Sequence, residues 1–181
     1  MILCWLSRPG KWHQVRSGAG HVAPPRRRNL SRSTQLRRCR MMARQTRSEA
    51  TRRKILNAAV DVFNEVGYSA AERGAIIERA EMTKGAVCHH FDSMESLASA
   101  IIEEGSATVL SAFRSNCEAS SPAMENMIHG TFVVADTVGS DEVACAAEQL
   151  TLALGGFNEA ASRVCTNWVE AMAAQGRRAI V

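Results

Sequence analysis

The sequence predicts an all-α protein in which a three-helix module with a helix-turn-helix is followed by a longer helical region. Two observations support this fold class. Apolar residues recur at the 3.6-residue spacing of an α-helix in successive segments from residue 55 onward. Aromatic residues make up only 5% of the 181 residues, whereas Ala, Leu, Ile, Val and Met are abundant, a composition that favours helices over sheets.

The first predicted helix begins near Thr46 and ends at Gly67. Thr46 and Glu49 have the spacing of a capping box, and Gly67 can adopt the left-handed conformation that often ends a helix. The apolar residues of this segment share one helical face. They are Ile55, Leu56, Ala59, Val62, Phe63 and Val66.

Two shorter helices are predicted to follow. Ser69 and Glu72 form a second expected capping box, and that helix carries Ile76, Ile77 and Ala80. After the turn at Glu81, Thr83 can cap a third helix. Its inward residues are Ala86, Val87 and Phe91, and its outward residues are Lys84, Gly85, Cys88, His89 and His90. Three short helices, of which the last is polar outside, are typical of a helix-turn-helix that reads the DNA major groove.

The module resembles the tetracycline-repressor family of bacterial transcription regulators. The stretch TKGA is similar to that of the γ-butyrolactone autoregulator receptors within that family. The matching positions are 51–56 (TRRKIL), Ala58, Ala59, Phe63, Gly67, Tyr68, 83–87 (TKGAV), His90, Phe91, Ser93 and Leu97. The resemblance implies a homodimeric repressor with a three-helix DNA-binding domain, a helical ligand-sensing domain and a pseudo-palindromic double-stranded operator.

We expect three segments along the chain. Residues 1–41 form a basic extension that is predicted to be disordered. It is either a basic arm that adds non-specific phosphate contacts or, as we favour, the result of a mis-assigned start that precedes Met41 and Met42. Residues 42–92 form the DNA-binding domain, and 93–181 form the ligand-binding domain. The second domain is expected to be incomplete, because little sequence remains after Gly176 for the dimer helices that the family implies. Residues 1–41, 42–91 and 92–181 carry net charges of +10, +2 and −8, which favours phosphate contacts by the first two.

The resemblance also implies a set of DNA-binding residues. Lys84 is expected to meet a phosphate or a guanine edge, and Gly85 to allow close approach of the backbone. Arg44 and Arg53 extend a cationic group at the start of the module. The histidines could instead mark a half-exposed helix end. The expected set is Arg47, Arg52, Thr83, Lys84, Gly85, Cys88, His89 and His90.

Four residues depart from the family pattern. Arg73 replaces a buried Leu, at a cost of up to ~2 kcal/mol. Glu81 replaces a turn Gly and would cost about 1 kcal/mol if its backbone is left-handed. Cys88 and Met94 replace a Tyr and a Lys that commonly contact DNA phosphates. These changes leave open an alternative, a regulator-like helical protein that binds a ligand or partner but not specific DNA.

Helices are expected throughout the rest of the chain. Asp92 or Ser93 caps a long one, 121–122 opens the next, and 139–141 breaks it. Further helices are predicted at 142–154 and 159–173. Four apolar side chains are either plain core or, as the resemblance implies, the lining of a pocket for a small apolar effector. They are Phe113, Met127, Phe132 and Trp168.

Other functional classes are disfavoured by the sequence. No apolar run approaches the ~20 residues that cross a bilayer, and the scattered cysteines indicate a reduced cytoplasmic protein without disulfides or zinc. Cys88 beside His89 could suggest an enzyme, but helix neighbours point about 100° apart and do not hydrogen-bond each other. We therefore expect no catalysis, no metal and no cofactor.

Overall fold

The computed structural model describes residues 32–118 and 122–179, and the part of the chain that it describes is helical, as predicted. Within the described residues, the chain divides between residues 40 and 41, and the larger unit begins at residue 41. The helices are α1 (Arg32–Val66), α2 (Arg73–Arg79), α3 (Lys84–His90), α4 (Met94–Cys117), α5 (Ala123–Ser140), α6 (Glu142–Leu154) and α7 (Glu159–Ala179). None of these helices is both long enough and apolar enough to cross a membrane.

The first helix begins earlier than predicted. Residues 1–31 of the predicted disordered extension lie outside the described residues, but 32–41 are helical, so that part of the prediction is wrong. Thr46 is not a cap, since its hydroxyl donates to the carbonyl of Met42 at 2.9 Å within the helix. Arg, Gln, Leu and Met are good helix formers, and residues 34–40 are exposed. Local helix propensity rather than burial therefore favours the early start of α1.

Local capping signals decide the ends of the short helices. Gly67 has φ 74° and ends α1, as predicted. Thr83 Oγ1 accepts from the Ala86 amide at 3.3 Å, and Ser93 Oγ accepts from the Ser96 amide at 3.0 Å, so both predicted caps are confirmed. The capping box at Ser69 is wrong, because α2 has Glu72 as its N-cap and this side chain makes no capping hydrogen bond.

The core of the module continues into the larger helical region. Ile55, Phe63, Ile76 and Val87 are almost fully buried and belong to the same cluster as Leu97 at the start of α4. Val66, predicted to lie on the same face of α1, is 51% exposed because it is the last residue of that helix. The predicted buried face of α1 is therefore confirmed except at Val66.

Helix α4 packs against α5, α6 and α7. A Cβ at Gly105 would lie 2.5 Å from the Cβ of Ala147, so α4 and α6 approach each other closely. Buried Asn158 caps α7 by accepting from the Ala161 amide at 3.1 Å, and its amide donates to Ser99 of α4 at 2.9 Å. The break at 139–141 and the bounds of α6 are as predicted, whereas α7 runs past Gly176 to Ala179.

The predicted inward face of α5 is wrong. Met124, Ile128 and Phe132 are 61%, 55% and 70% exposed. The buried face carries Gly130 instead, where a Cβ would lie 2.6 Å from the ring of Phe113 on α4. Because α5 turns its glycine towards this ring, the larger apolar side chains on the opposite face point away from α4.

Candidate nucleic-acid interface

The outward face of α3 carries four exposed residues, Lys84, Gly85, Cys88 and His89. Their spacing places them within one sector of the helix, while Val87 is buried on the other side. His90 is half-buried and lies outside this sector, so it is less accessible than His89, and its expected DNA contact stays a prediction. The alternative interpretation of the two histidines, as half-exposed residues at a helix end, therefore fits His90 but not His89, which is exposed.

The start of α3 suits a close contact with an external backbone. Thr83 is exposed, and its oxygen accepts from an amide of the first turn, which leaves its hydroxyl hydrogen free to point outward. A Cβ at Gly85 would meet no atom within 4 Å, so nothing within the described protein requires glycine at this position. The absence of a side chain there benefits only a molecule that approaches from outside.

The basic residues of α1 divide into paired and unpaired groups. Arg53 forms an ion pair with Glu104, and Lys54 Nζ lies 3.1 Å from Glu81 Oε2. Among the described residues, no carboxylate lies within ion-pair distance of Arg44, Arg47 or Arg52, all of which are exposed. The unpaired positive charge of the module therefore includes Arg47 and Arg52 from the expected set.

Arg79, the last residue of α2, links this helix to α1, and Glu81 lies in the turn between α2 and α3. Arg79 makes two hydrogen bonds to Glu65 on α1, at 2.9 and 2.8 Å, and these bonds lower the pKa of the Glu65 carboxyl. Glu81 has φ 51°, the left-handed conformation on which its expected cost of about 1 kcal/mol depends. Among the described residues it is the only non-glycine with a positive φ.

Arg73 of α2 contacts α3 and the residue that follows it, which was not predicted from the sequence. It is half-buried, its Nη2 donates to the carbonyl of Phe91 at 3.1 Å, and its Nη1 lies 3.7 Å from Cys88 Sγ. The guanidinium of Arg52 lies 5.0 Å from the centroid of the Phe91 ring. Two arginines from different helices therefore meet at the residue that ends α3. No local sequence signal indicates this contact, because α2 and α3 are brought together only by the fold.

A second candidate site is an open pocket of about 410 Å³ in the larger helical region. The rings of Phe113 and Trp168 lie edge to face at 5.2 Å and form part of its wall. Met127 and Phe132, expected in the same pocket, do not line it. The lining is Val109, Phe113, Thr131, Val134, Ala135, Val138, Glu148, Trp168 and Met172. The structure thus brings together two of the four residues predicted for a ligand pocket.

The comparisons with known proteins agree with this architecture. The family model for bacterial regulatory proteins of the tetR family matches residues 55–101, from α1 into α4. The crystal structure of a gamma-butyrolactone receptor, an ArpA-like protein, is similar with a TM-score of 0.64 and 30% identity. That match covers 74% of this chain and 67% of the receptor chain. The chain belongs to the tetR family. The predicted family and fold class are confirmed, and membership in a family of regulatory proteins supports the expectation that the chain is not an enzyme.

Two curated relatives of this tetR-family chain match over shorter segments. The A-factor receptor protein of Streptomyces griseus is 46% identical over 68 residues, which are 38% of this chain and 25% of that protein. The HTH-type transcriptional regulator UidR of Escherichia coli (strain K12) is 39% identical over 74 residues, 41% of this chain and 38% of UidR. The matched segments span well under two thirds of these relatives.

Proposed function

We propose that this tetR-family protein is a DNA-binding transcriptional regulator, a cytoplasmic repressor that a small apolar effector releases from a pseudo-palindromic operator. The observation that carries the proposal is the exposed face of α3, which we take as the recognition helix. Lys84 supplies a charge without a carboxylate partner among the described residues, Gly85 permits close approach, and His89 adds a hydrogen-bonding group. Arg47 and Arg52 supply further unpaired charge for phosphates on the same module.

The pocket supports the effector part of the proposal. Its volume of about 410 Å³ falls within the range of small-molecule sites, and its wall is mainly apolar and aromatic. Val138 of α5 lines the pocket, and the turn that follows α5 leads directly into α6. Asn64 of α1 donates to the carbonyl of Glu142 at the start of α6, at 3.0 Å. An effector that displaces α5 would therefore act on a turn that is hydrogen-bonded to the DNA-binding module.

A homodimer is part of the proposal because two recognition helices must lie about one DNA turn, ~34 Å, apart. Leu152 of α6, Phe157 of the turn after it and Val169 of α7 are 78%, 92% and 69% exposed. They are available to a second subunit. Their positions in α6, the turn after it and α7 do not form one continuous helical seam, so we expect weak self-association.

Selection of DNA from a random duplex library tests the DNA-binding proposal. The full chain should enrich a pseudo-palindrome with half-sites about one helical turn apart, and a Lys84→Ala variant should enrich it less. Arg114→Ala, an exposed charge change on α4 outside the module, serves as the matched control. Retention of random DNA that disappears as salt rises, without sequence enrichment, would instead support a regulator-like helical protein that binds a ligand or partner only.

A further inference from the structure

We infer that Arg73 of α2 binds a DNA backbone phosphate at the end of the recognition helix. This inference rests on the proposed DNA-binding function and adds a contact that α3 itself does not provide. The family resemblance implies that Arg73 occupies a position usually held by a buried Leu, where a long polar side chain is unfavourable. The structure places its charged end beside the exposed face of α3 instead.

The position of the guanidinium is defined by two contacts. Nη2 donates to the carbonyl of Phe91, the residue that ends α3, at 3.1 Å. Nη1 lies 3.7 Å from Sγ of Cys88, which is exposed and one helical turn from Lys84. The positive charge of Arg73 therefore reaches the edge of the surface that carries Lys84, although Arg73 belongs to another helix.

The charge of Arg73 is not neutralised by the protein that surrounds it. A guanidinium carries five N–H groups, and here one is held by a carbonyl, while a thiol sulfur is only a weak acceptor. Nε is inaccessible to solvent and has no hydrogen-bond partner. In the described chain no carboxylate lies within ion-pair distance of Arg73. A partly desolvated cation without a counter-charge is stabilised strongly when an anion binds beside it.

Arg79 on the same helix provides the contrast. It is fixed by two hydrogen bonds to Glu65, with Asp61 at 3.6 Å, so its charge is compensated within the protein. Arg52 also contacts Phe91, through its ring, and is exposed and unpaired among the described residues. Arg52 and Arg73 thus both contact Phe91, and Arg73 is anchored in place before DNA arrives, which reduces the entropy lost on binding.

The test measures the salt dependence of DNA binding with the full chain and a selected operator duplex, by fluorescence anisotropy between 50 and 200 mM salt. Arg73→Gln removes one phosphate contact. The negative slope of log K against log salt should therefore become shallower by about 0.9, with roughly tenfold weaker binding at low salt. Arg73→Lys keeps the charge and should retain most of the slope. Arg79→Gln, the matched control on the same helix, should leave the slope unchanged.

Arg73→Leu is the second variant, because the resembled family carries an apolar residue there and the fold should tolerate it. It should lose the same slope as Arg73→Gln while unfolding at an equal or higher urea concentration. Weaker binding with an unchanged slope in both variants would show that Arg73 only braces the carbonyl of Phe91, and would overturn the inference alone. A wild-type chain that binds no duplex at any salt concentration would overturn the proposed function together with it.

Discussion

Glu81→Gly is expected to stabilise the protein, although it removes an ion pair. Glu81 has φ 51°, where a Cβ-bearing residue costs about 1–2 kcal/mol relative to glycine. Its pair with Lys54 is exposed, with 50% and 81% of the two side chains accessible, so that pair contributes only about 0.2–0.5 kcal/mol. The relief of backbone strain therefore outweighs the lost pair, and the free energy of unfolding should rise by about 0.5–1.8 kcal/mol.

Equilibrium urea denaturation of the full chain, followed by far-ultraviolet circular dichroism, measures this difference. Glu81→Gln is the control that removes the charge and keeps the strained backbone, and it should lower the free energy of unfolding by no more than about 0.5 kcal/mol. Glu81→Asn should lie between the two variants, because asparagine tolerates the left-handed region better than most residues. A Glu81→Gly variant that is less stable than Glu81→Gln would refute the strain argument.

Three further changes test other parts of the structure. Gly130→Ala should lower the free energy of unfolding by about 1–3 kcal/mol because its Cβ would lie 2.6 Å from the Phe113 ring, whereas Gly139→Ala, with open space around it, should not. Asn158→Ala should cost about 1–3 kcal/mol in the same assay, since it removes the α7 cap and a buried hydrogen bond. Lys84→Ala should weaken operator binding by about 1–3 kcal/mol with relaxed specificity if it meets a base, or uniformly across sequences if it meets a phosphate. Unchanged affinity and salt slope in a gel shift would contradict its placement on the recognition surface.

Features set by a few neighbouring residues were predictable from the sequence. The caps at Thr83 and Ser93 depend on a side chain and an amide three residues later, and both were predictable, whereas the capping-box spacing at Thr46 and Ser69 does not produce caps. The strain at Glu81 was predicted conditionally, from the Gly that the family usually has in this turn, and its φ of 51° meets that condition. The family itself was predictable because its signature is concentrated in this short region.

Features set by distant contacts were not predictable. The face that α5 buries depends on the ring of Phe113, which lies on another helix, and apolar periodicity does not reveal that a glycine must face this ring. The sequence therefore predicts a buried Phe132, whereas its side chain is exposed. The sequence likewise predicts an unfavourable Arg73, because its hydrogen-bond acceptor, the carbonyl of Phe91, lies 18 residues further along the chain and outside α2.

The close approach at Gly105 has a consequence for local opening. A Cβ there would lie 2.5 Å from Ala147 Cβ and 2.6 Å from the carbonyl of Val143, so two backbones pack with almost no intervening side chain. Such a contact has no rotamers to rearrange, so we expect α4 and α6 to belong to the most stable part of the described structure. In a hydrogen–deuterium exchange experiment, the amides of α4 and α6 around Gly105 should exchange last. Any loosening caused by an effector would appear first in α5 and α7.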